Sequence, residues 1–190
     1  MLTILAAAAT VIWTQLVHRE QLAARQRCPL SERQILASFA MVEPNAPSPP
    51  AAVEVRVLNA TNRRGLAAEV ASRLKVLGFS EAVSLGNDLL HPPGTMTCVG
   101  QIRFGPTGLD AANTLSVVLP CAQLVRDERP DSTVDLVLGN AFAALEPNPS
   151  ARTVLTQLAT APLEGGGGLQ SVGAPAVDRP LLAAAHQQQC

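Results

Sequence analysis

Val53, Val55 and Val57 alternate with Glu54, Arg56 and Leu58, and after a polar turn Leu66, Val70, Leu74 and Leu77 recur every three or four residues. A period of two that gives way to a period near 3.6 predicts a β-strand running into an amphipathic helix, each with one apolar face to bury. The β-branched residues favour the strand, and Gly78 marks the helix stop. Further along, Ala82–Leu85 and Gln101–Phe104 read as strands, Thr107–Val118 as a second helix and Val134–Leu138 as a last strand. The order βαββαβ predicts an α/β (α+β) domain, a two-layer ferredoxin-like sandwich with both helices on one side of a four-stranded sheet.

With 190 residues, the chain has room for one such domain and its flanks. The domain is expected over residues 53–146. The Pro-rich stretch Glu43–Ala52 before it reads as a semi-rigid spacer, so residues 19–52 are expected as a stalk and linker. After it, Asn148-Pro149-Ser150 is a cap signal ahead of Val154, Leu155 and Leu158, which predicts an additional C-terminal helix over 147–161. Residues 162–190 open with the run Gly165–Gly168, lack apolar periodicity and are expected to be disordered. At the other end, Leu2–Val17 carries no charged side chain and includes Trp13, so residues 1–18 read as a membrane anchor or uncleaved signal. The missing basic flank points to a start further upstream. The alternative is an Ala-rich helix of a soluble protein.

Charge excludes one class of partner. The chain nets −1, and aromatic residues make up 3% of it, with no basic stripe among which they could interleave, so no nucleic acid is expected.

Four cysteines behind an export-type segment are disulfide candidates. Cys98 lies just before the third strand and Cys121 just after the second helix. A helix that runs back along that strand brings the two ends together, so a Cys98–Cys121 bridge is expected; two buried thiols are the alternative. Cys28 and Cys190 are left open between pairing with each other, pairing between chains and staying free.

Catalytic and metal sets fare poorly. His91 and Cys98 would make a thiol–imidazole pair, but a Pro-Gly-rich loop separates them and no orienting group is evident. Asp127, Glu128, Asp131 and Asp135 are interleaved with Arg126 and Arg129 and fit no Ca²⁺ loop spacing. No catalytic residue, metal or cofactor is expected. The candidate binding residues are Asn59, Thr61, Arg63 and Arg64 in the turn NATNRRG, where helix N–H groups, the helix dipole and two guanidiniums suit an anion. The alternative is structural: Asn59 and Thr61 shape the turn, Asn62 caps the helix and the arginines are solvated.

The blocks VEVRVLNAT (Val53–Thr61), RRGLAAEVASRLKVLGF (Arg63–Phe79), GQIRFGPTG (Gly100–Gly108) and VDLVLGNAF (Val134–Phe142) resemble, in order and spacing, the LytR C-terminal domain family. CVGQIRFG and PCAQLVRDERPDSTVDLVLG resemble stand-alone, envelope-integrity members of that family in mycobacteria and their relatives. Elsewhere such a domain often follows a LytR-CpsA-Psr catalytic domain that attaches glycopolymers to peptidoglycan. The resemblance implies a non-enzymatic, extracytoplasmic protein that maintains cell-envelope integrity, and residues 1–18 would hold it at the cell membrane as a single pass. Its expected partner is an envelope protein or a glycan related to peptidoglycan or arabinogalactan, with accessory service to glycopolymer-ligating enzymes as the runner-up and an envelope-polymer enzyme as the third reading.

Overall fold

A computed structural model describes residues 13, 27–37, 47–160 and 177–187. Its strands are β1 (Ile35–Leu36), β2 (Val55–Asn59), β3 (Val83–Asn87), β4 (Gly100–Phe104), β5 (Gln123–Arg126) and β6 (Val134–Leu138). Its helices are α1 (Leu66–Val76), α2 (Leu109–Val118), α3 (Pro149–Thr160) and α4 (Arg179–Ala185). The strands form one mixed sheet in the order β1-β5-β4-β6-β2-β3. β2 is parallel to β3 and β6, β4 is parallel to β5, and β4 is antiparallel to β6.

This connectivity differs from the expected four-stranded ferredoxin-like order. Gln123–Arg126 is a strand that four residues were too few to announce by alternation, and it places β5 beside β4. The sheet is therefore two adjacent βαβ units, β2-α1-β3 and β4-α2-β5, with β6 between them. Val55, Val57, Ile102, Phe104, Leu136 and Leu138 bury one face of it against both helices. Every residue of α2 from Ala111 to Val118 is buried, because Val117 turns outward into a second cluster with Ala151, Val154 and Leu158 of α3 and Ala185 of α4. Asn148 caps α3, its Oδ1 accepting from the Ala151 N–H at 2.8 Å. Arg179–Ala185 lay within the tail expected to be disordered. A helix this short shows little amphipathic period, and contact with α3 is what stabilises it. The expected anchor at 1–18, apart from Trp13, lies outside the described residues; among the described residues no helix is long and apolar enough to cross a membrane.

Among the described residues the other face of the sheet is covered by loops, and here two expectations are corrected. Residues 27–37, read as stalk, belong to the domain: β1 pairs antiparallel with β5, and the Pro29 carbonyl accepts from Gln101 Nε2 at 2.8 Å. Cys98 is bridged to Cys28, not to Cys121. The register Gln101↔Gln123 does bring the starts of β4 and β5 to one end of the sheet. Cys98, however, points away from the helices into a cluster of Cys28, Ala60, Met96 and Val137. Cys121 is disulfide-bonded as well.

Arg103 dominates this second face. Its side chain is 2% exposed, and it meets Asp88 in a bidentate pair, Nη1–Oδ1 at 2.8 Å and Nη2–Oδ2 at 3.0 Å. Nε donates to Gln101 Oε1 at 2.8 Å, and His91 Nδ1 lies 2.9 Å from both Asp88 Oδ2 and Arg103 Nη2. The loop from Asp88 to Cys98 is thus tied to β4 by a buried ion pair at one end and to the 27–37 segment by a disulfide at the other. At the far edge Gly105 packs so tightly that a Cβ there would collide with the Arg129 carbonyl. This close approach is why GQIRFG ends in glycine.

The Cys28–Cys98 bridge closes a loop with a sequence separation of 70. On chain-entropy grounds, changing both residues to Ser destabilises the fold by about 4 kcal/mol in denaturant titration. Burial pushes the Asp88 carboxyl up, but hydrogen bonds and charge from Arg103, with His91, hold it below the ordinary 3.8. A carboxylate lowered by folding contributes stability above its unfolded value, and that contribution is lost as pH falls through the folded one. Thermal stability therefore drops as pH is lowered below 3.8. Asp88→Asn flattens this acid limb, while Arg103→Ala, which strands a buried carboxylate, costs about 3–5 kcal/mol at neutral pH.

Candidate functional site

Four strands end on one line across the sheet: Asn59 lies opposite Asn87 and Leu138, and Leu138 lies opposite Gly100. The parallel strands β2 and β3 finish at this end and α1 begins there, which is where open α/β sheets leave a crevice beyond their carboxyl ends. The structure has a shallow cleft of about 450 Å³ in that place, lined by Asn59, Arg64, Gly65, Ser84, Asn87 and Pro93 among others.

The turn NATNRRG is held by its own side chains. Asn59 Oδ1 accepts from the Thr61 N–H at 3.0 Å and from the Thr61 hydroxyl at 2.7 Å, and Asn59 Nδ2 donates to the Arg63 carbonyl at 2.8 Å. The Arg63 N–H donates to Thr61 Oγ1 at 3.0 Å. Asn59 and Thr61 are buried and committed to this turn. Arg63 reaches across to Phe142, its Nη1 donating to that carbonyl at 3.1 Å, so its guanidinium ties the turn to the loop after β6. Asn62 lies against Gly94 and does not cap the helix. The cap position belongs to Gly65, at φ 76, which a side chain rarely adopts.

With Gly65 at the cap, α1 has no side-chain cap hydrogen bond among the described residues, and its first-turn N–H groups face the cleft. Those donors and the positive end of the helix dipole favour an anion, and Arg64 is exposed beside them. Of the four residues expected in a site, the structure gives Asn59 and Thr61 to the architecture, divides Arg63 between the two and leaves Arg64 to solvent. Sequence reasoning missed the β3 side of the cleft, Ser84, Gly86 and Asn87, because only the parallel β2–β3 pairing brings these residues alongside the turn. The lining offers amides, hydroxyls and guanidiniums. Among the described residues, none that lines it carries a carboxylate, imidazole or thiol.

The other sequence candidates are committed elsewhere. Cys98 is oxidised, and His91 is buried against Asp88 and Arg103, so the two make no thiol–imidazole pair. In the acidic cluster Arg129 contacts both Asp127 and Asp135, and Arg56 Nε reaches Asp135 Oδ1 at 2.6 Å. Burial pushes the Asp127 carboxyl up, and the hydrogen bonds and charge of Arg129 outweigh it and hold it below the ordinary range. Asp131 is exposed beside Thr133. Among the described residues no three His, Cys, Asp or Glu side chains are grouped to hold a metal ion.

Residues 52–142 match the family LytR_C, described as LytR cell envelope-related transcriptional attenuator. The chain is 37% identical over 145 residues to the Cell envelope integrity protein Cei of Mycobacterium tuberculosis, an alignment that spans 76% of this chain and 62% of that protein. It therefore matches somewhat under two thirds of that relative's length. Among solved structures it is similar to the soluble domain of a conserved hypothetical secreted protein from Mycobacterium marinum, at 34% identity and a TM-score of 0.70, covering 84% of this chain and 100% of that one. The strand–turn–helix unit at Asn59–Gly65 and the β4 block GQIRFG both fall inside the matched span, and through it the chain belongs to the LytR_C family.

Proposed function

We propose that the chain is a non-enzymatic, extracytoplasmic protein that supports cell-envelope integrity by binding an envelope partner, and that residues 1–18 anchor it in the membrane as a single pass. The observation that carries this reading is the kinship with a protein named for cell-envelope integrity and with the soluble domain of a secreted one. The disulfides at Cys28–Cys98 and at Cys121 accord with it, since such bridges persist in oxidising compartments. Among the described residues the cleft offers donors for an anion and no group to move a proton, which favours binding over chemistry.

The partner is an envelope protein or an anionic glycan of the peptidoglycan–arabinogalactan kind, taken at the Asn59–Gly65 cleft. Service to glycopolymer-ligating enzymes, which the resemblance of the sequence blocks implies, is the second reading. Retention of the full chain on purified sacculi tests the glycan version. Arg64→Ala is the informative variant, because Arg63 also braces Phe142 and its loss disturbs the fold. Retention that falls several-fold for Arg64→Ala supports a glycan ligand at the cleft. A native chain that passes through unretained excludes that ligand and leaves the protein partner, to be sought by cross-linking in membranes.

A further inference from the structure

Leu89 is 97% exposed and Leu90 55% exposed, while the residues on either side of them, Asp88 and His91, are 5% and 7% exposed. Two adjacent leucines in water are common on a mobile loop. Here they are held out by a rigid base: Asp88 is locked to Arg103 by two charged hydrogen bonds, and its N–H donates to the Asn59 carbonyl at 2.9 Å. His91 closes the turn, its N–H donating to Asp88 Oδ2 at 3.0 Å. The loop cannot turn its leucines inward without breaking a buried ion pair. Val83 and Leu85, also exposed, extend the apolar surface along β3.

The location of this tip matters as much as its composition. The loop leaves β3 and enters β4 at the end of the sheet defined by Asn59, Asn87 and Gly100. The same loop ends at Cys98, so the bridge to Cys28 fixes the chain's own entry point to that end. Upstream of Cys28 comes the uncharged run Leu2–Val17, and residues 18–27 between them reach no more than about 35 Å when fully extended. That is about the diameter of a domain of this size, so a tether of this length keeps this end nearer to a bilayer than the opposite one. Arg27 and Arg64, both exposed at the same end, are complementary to anionic head groups.

We propose that Leu89 and Leu90 form a membrane-contacting tip that inserts into the outer face of the bilayer beside the chain's own anchor. The proposal rests on the reading of Leu2–Val17 as that anchor. Two leucines are a weak membrane anchor alone, but a short tether raises their local concentration at the lipid to the order of millimolar, and at that concentration weak insertion is sufficient. The consequence is orientation: the Asn59–Gly65 cleft opens at the membrane surface. A second copy is the less suitable occupant. The β2–β3 register shifts between Val57 and Asn59, and a bulge of this kind bends an edge strand away from the flat geometry that sheet extension requires.

The test uses the full chain in vesicles of phosphatidylcholine and phosphatidylglycerol with brominated acyl chains. Trp13 is the single tryptophan, so Trp13→Phe combined with Leu89→Trp gives one reporter at the tip. Trp13→Phe combined with Val76→Trp gives another at the exposed C-terminal end of α1, across the sheet. Flotation with the vesicles reads the anchor. Bromine quenching reads the tip, which is expected to lose emission roughly two-fold as a side chain buried ~5–10 Å into the interface would, while the Val76→Trp reporter keeps its own. Leu90→Glu added to the tip reporter should abolish the quenching without releasing the chain from the vesicles. A chain that floats with an unquenched tip overturns the insertion and leaves the anchor standing. Failure to float overturns both. Equal quenching at both positions rules out a defined orientation. A tip emission that is blue-shifted without lipid and depends on protein concentration assigns the leucines to a second copy.

Discussion

A guanidinium buried on the loop-covered face of a sheet must find a counter-charge, and the need to neutralise Arg103 organises this domain. Its position on β4, the strand between β5 and β6, leaves it no route to solvent. The residues that answer it are Asp88 and His91 from the loop after β3 and Gln101 from its own strand, itself donating to the Pro29 carbonyl. Satisfying one charge thus pulls the 88–98 loop and the 27–37 segment onto the same surface. The disulfide between Cys28 and Cys98 then holds together two segments that the polar network has already placed side by side.

The helix-facing half of this fold was legible in the sequence, and the half that faces the loops was not. Val55, Val57, Leu66, Val70 and Leu74 announce themselves by period, because one face of each element is apolar and the other is wet. On the second face that contrast disappears. Gln101, Arg103 and Asp135 are polar yet buried, so β4 and β6 are buried on both sides without an apolar run to say so. Gln123–Arg126 is too short to alternate convincingly; the Cys98–Cys121 expectation fails for a separate reason, since the starts of β4 and β5 do meet but no sequence signal tells which face Cys98 turns. The turn NATNRRG was legible as a turn, but its division of labour was not: Gly65 takes the cap, Asn59 and Thr61 hold the loop, Arg63 braces Phe142 and Arg64 stays exposed.

One end of the sheet gathers nearly everything that bears on function. The uncapped start of α1, the exposed leucines and the disulfide that receives the N-terminal segment all lie near the line of Asn59, Asn87 and Gly100. The opposite end carries the Arg129 ion pairs and the packed glycine at 105, features of stability alone. Membership of the LytR_C family concerns residues 52–142, whereas the segment that locks this end, residues 27–37, lies ahead of that span. A domain cut at the family boundary would lose β1, the Pro29 contact and one half of a disulfide.

The pairing of Cys98 decides whether residues 27–37 are part of the fold. Peptide mapping by mass spectrometry, on exported chain alkylated without prior reduction, reads it directly. A peptide carrying Cys28 joined to one carrying Cys98 is the expected result, and it places the N-terminal segment on the loop face of the sheet. Cys98 joined to Cys121, or alkylated as a free thiol in folded protein, would contradict it and return residues 27–37 to the role of a tether.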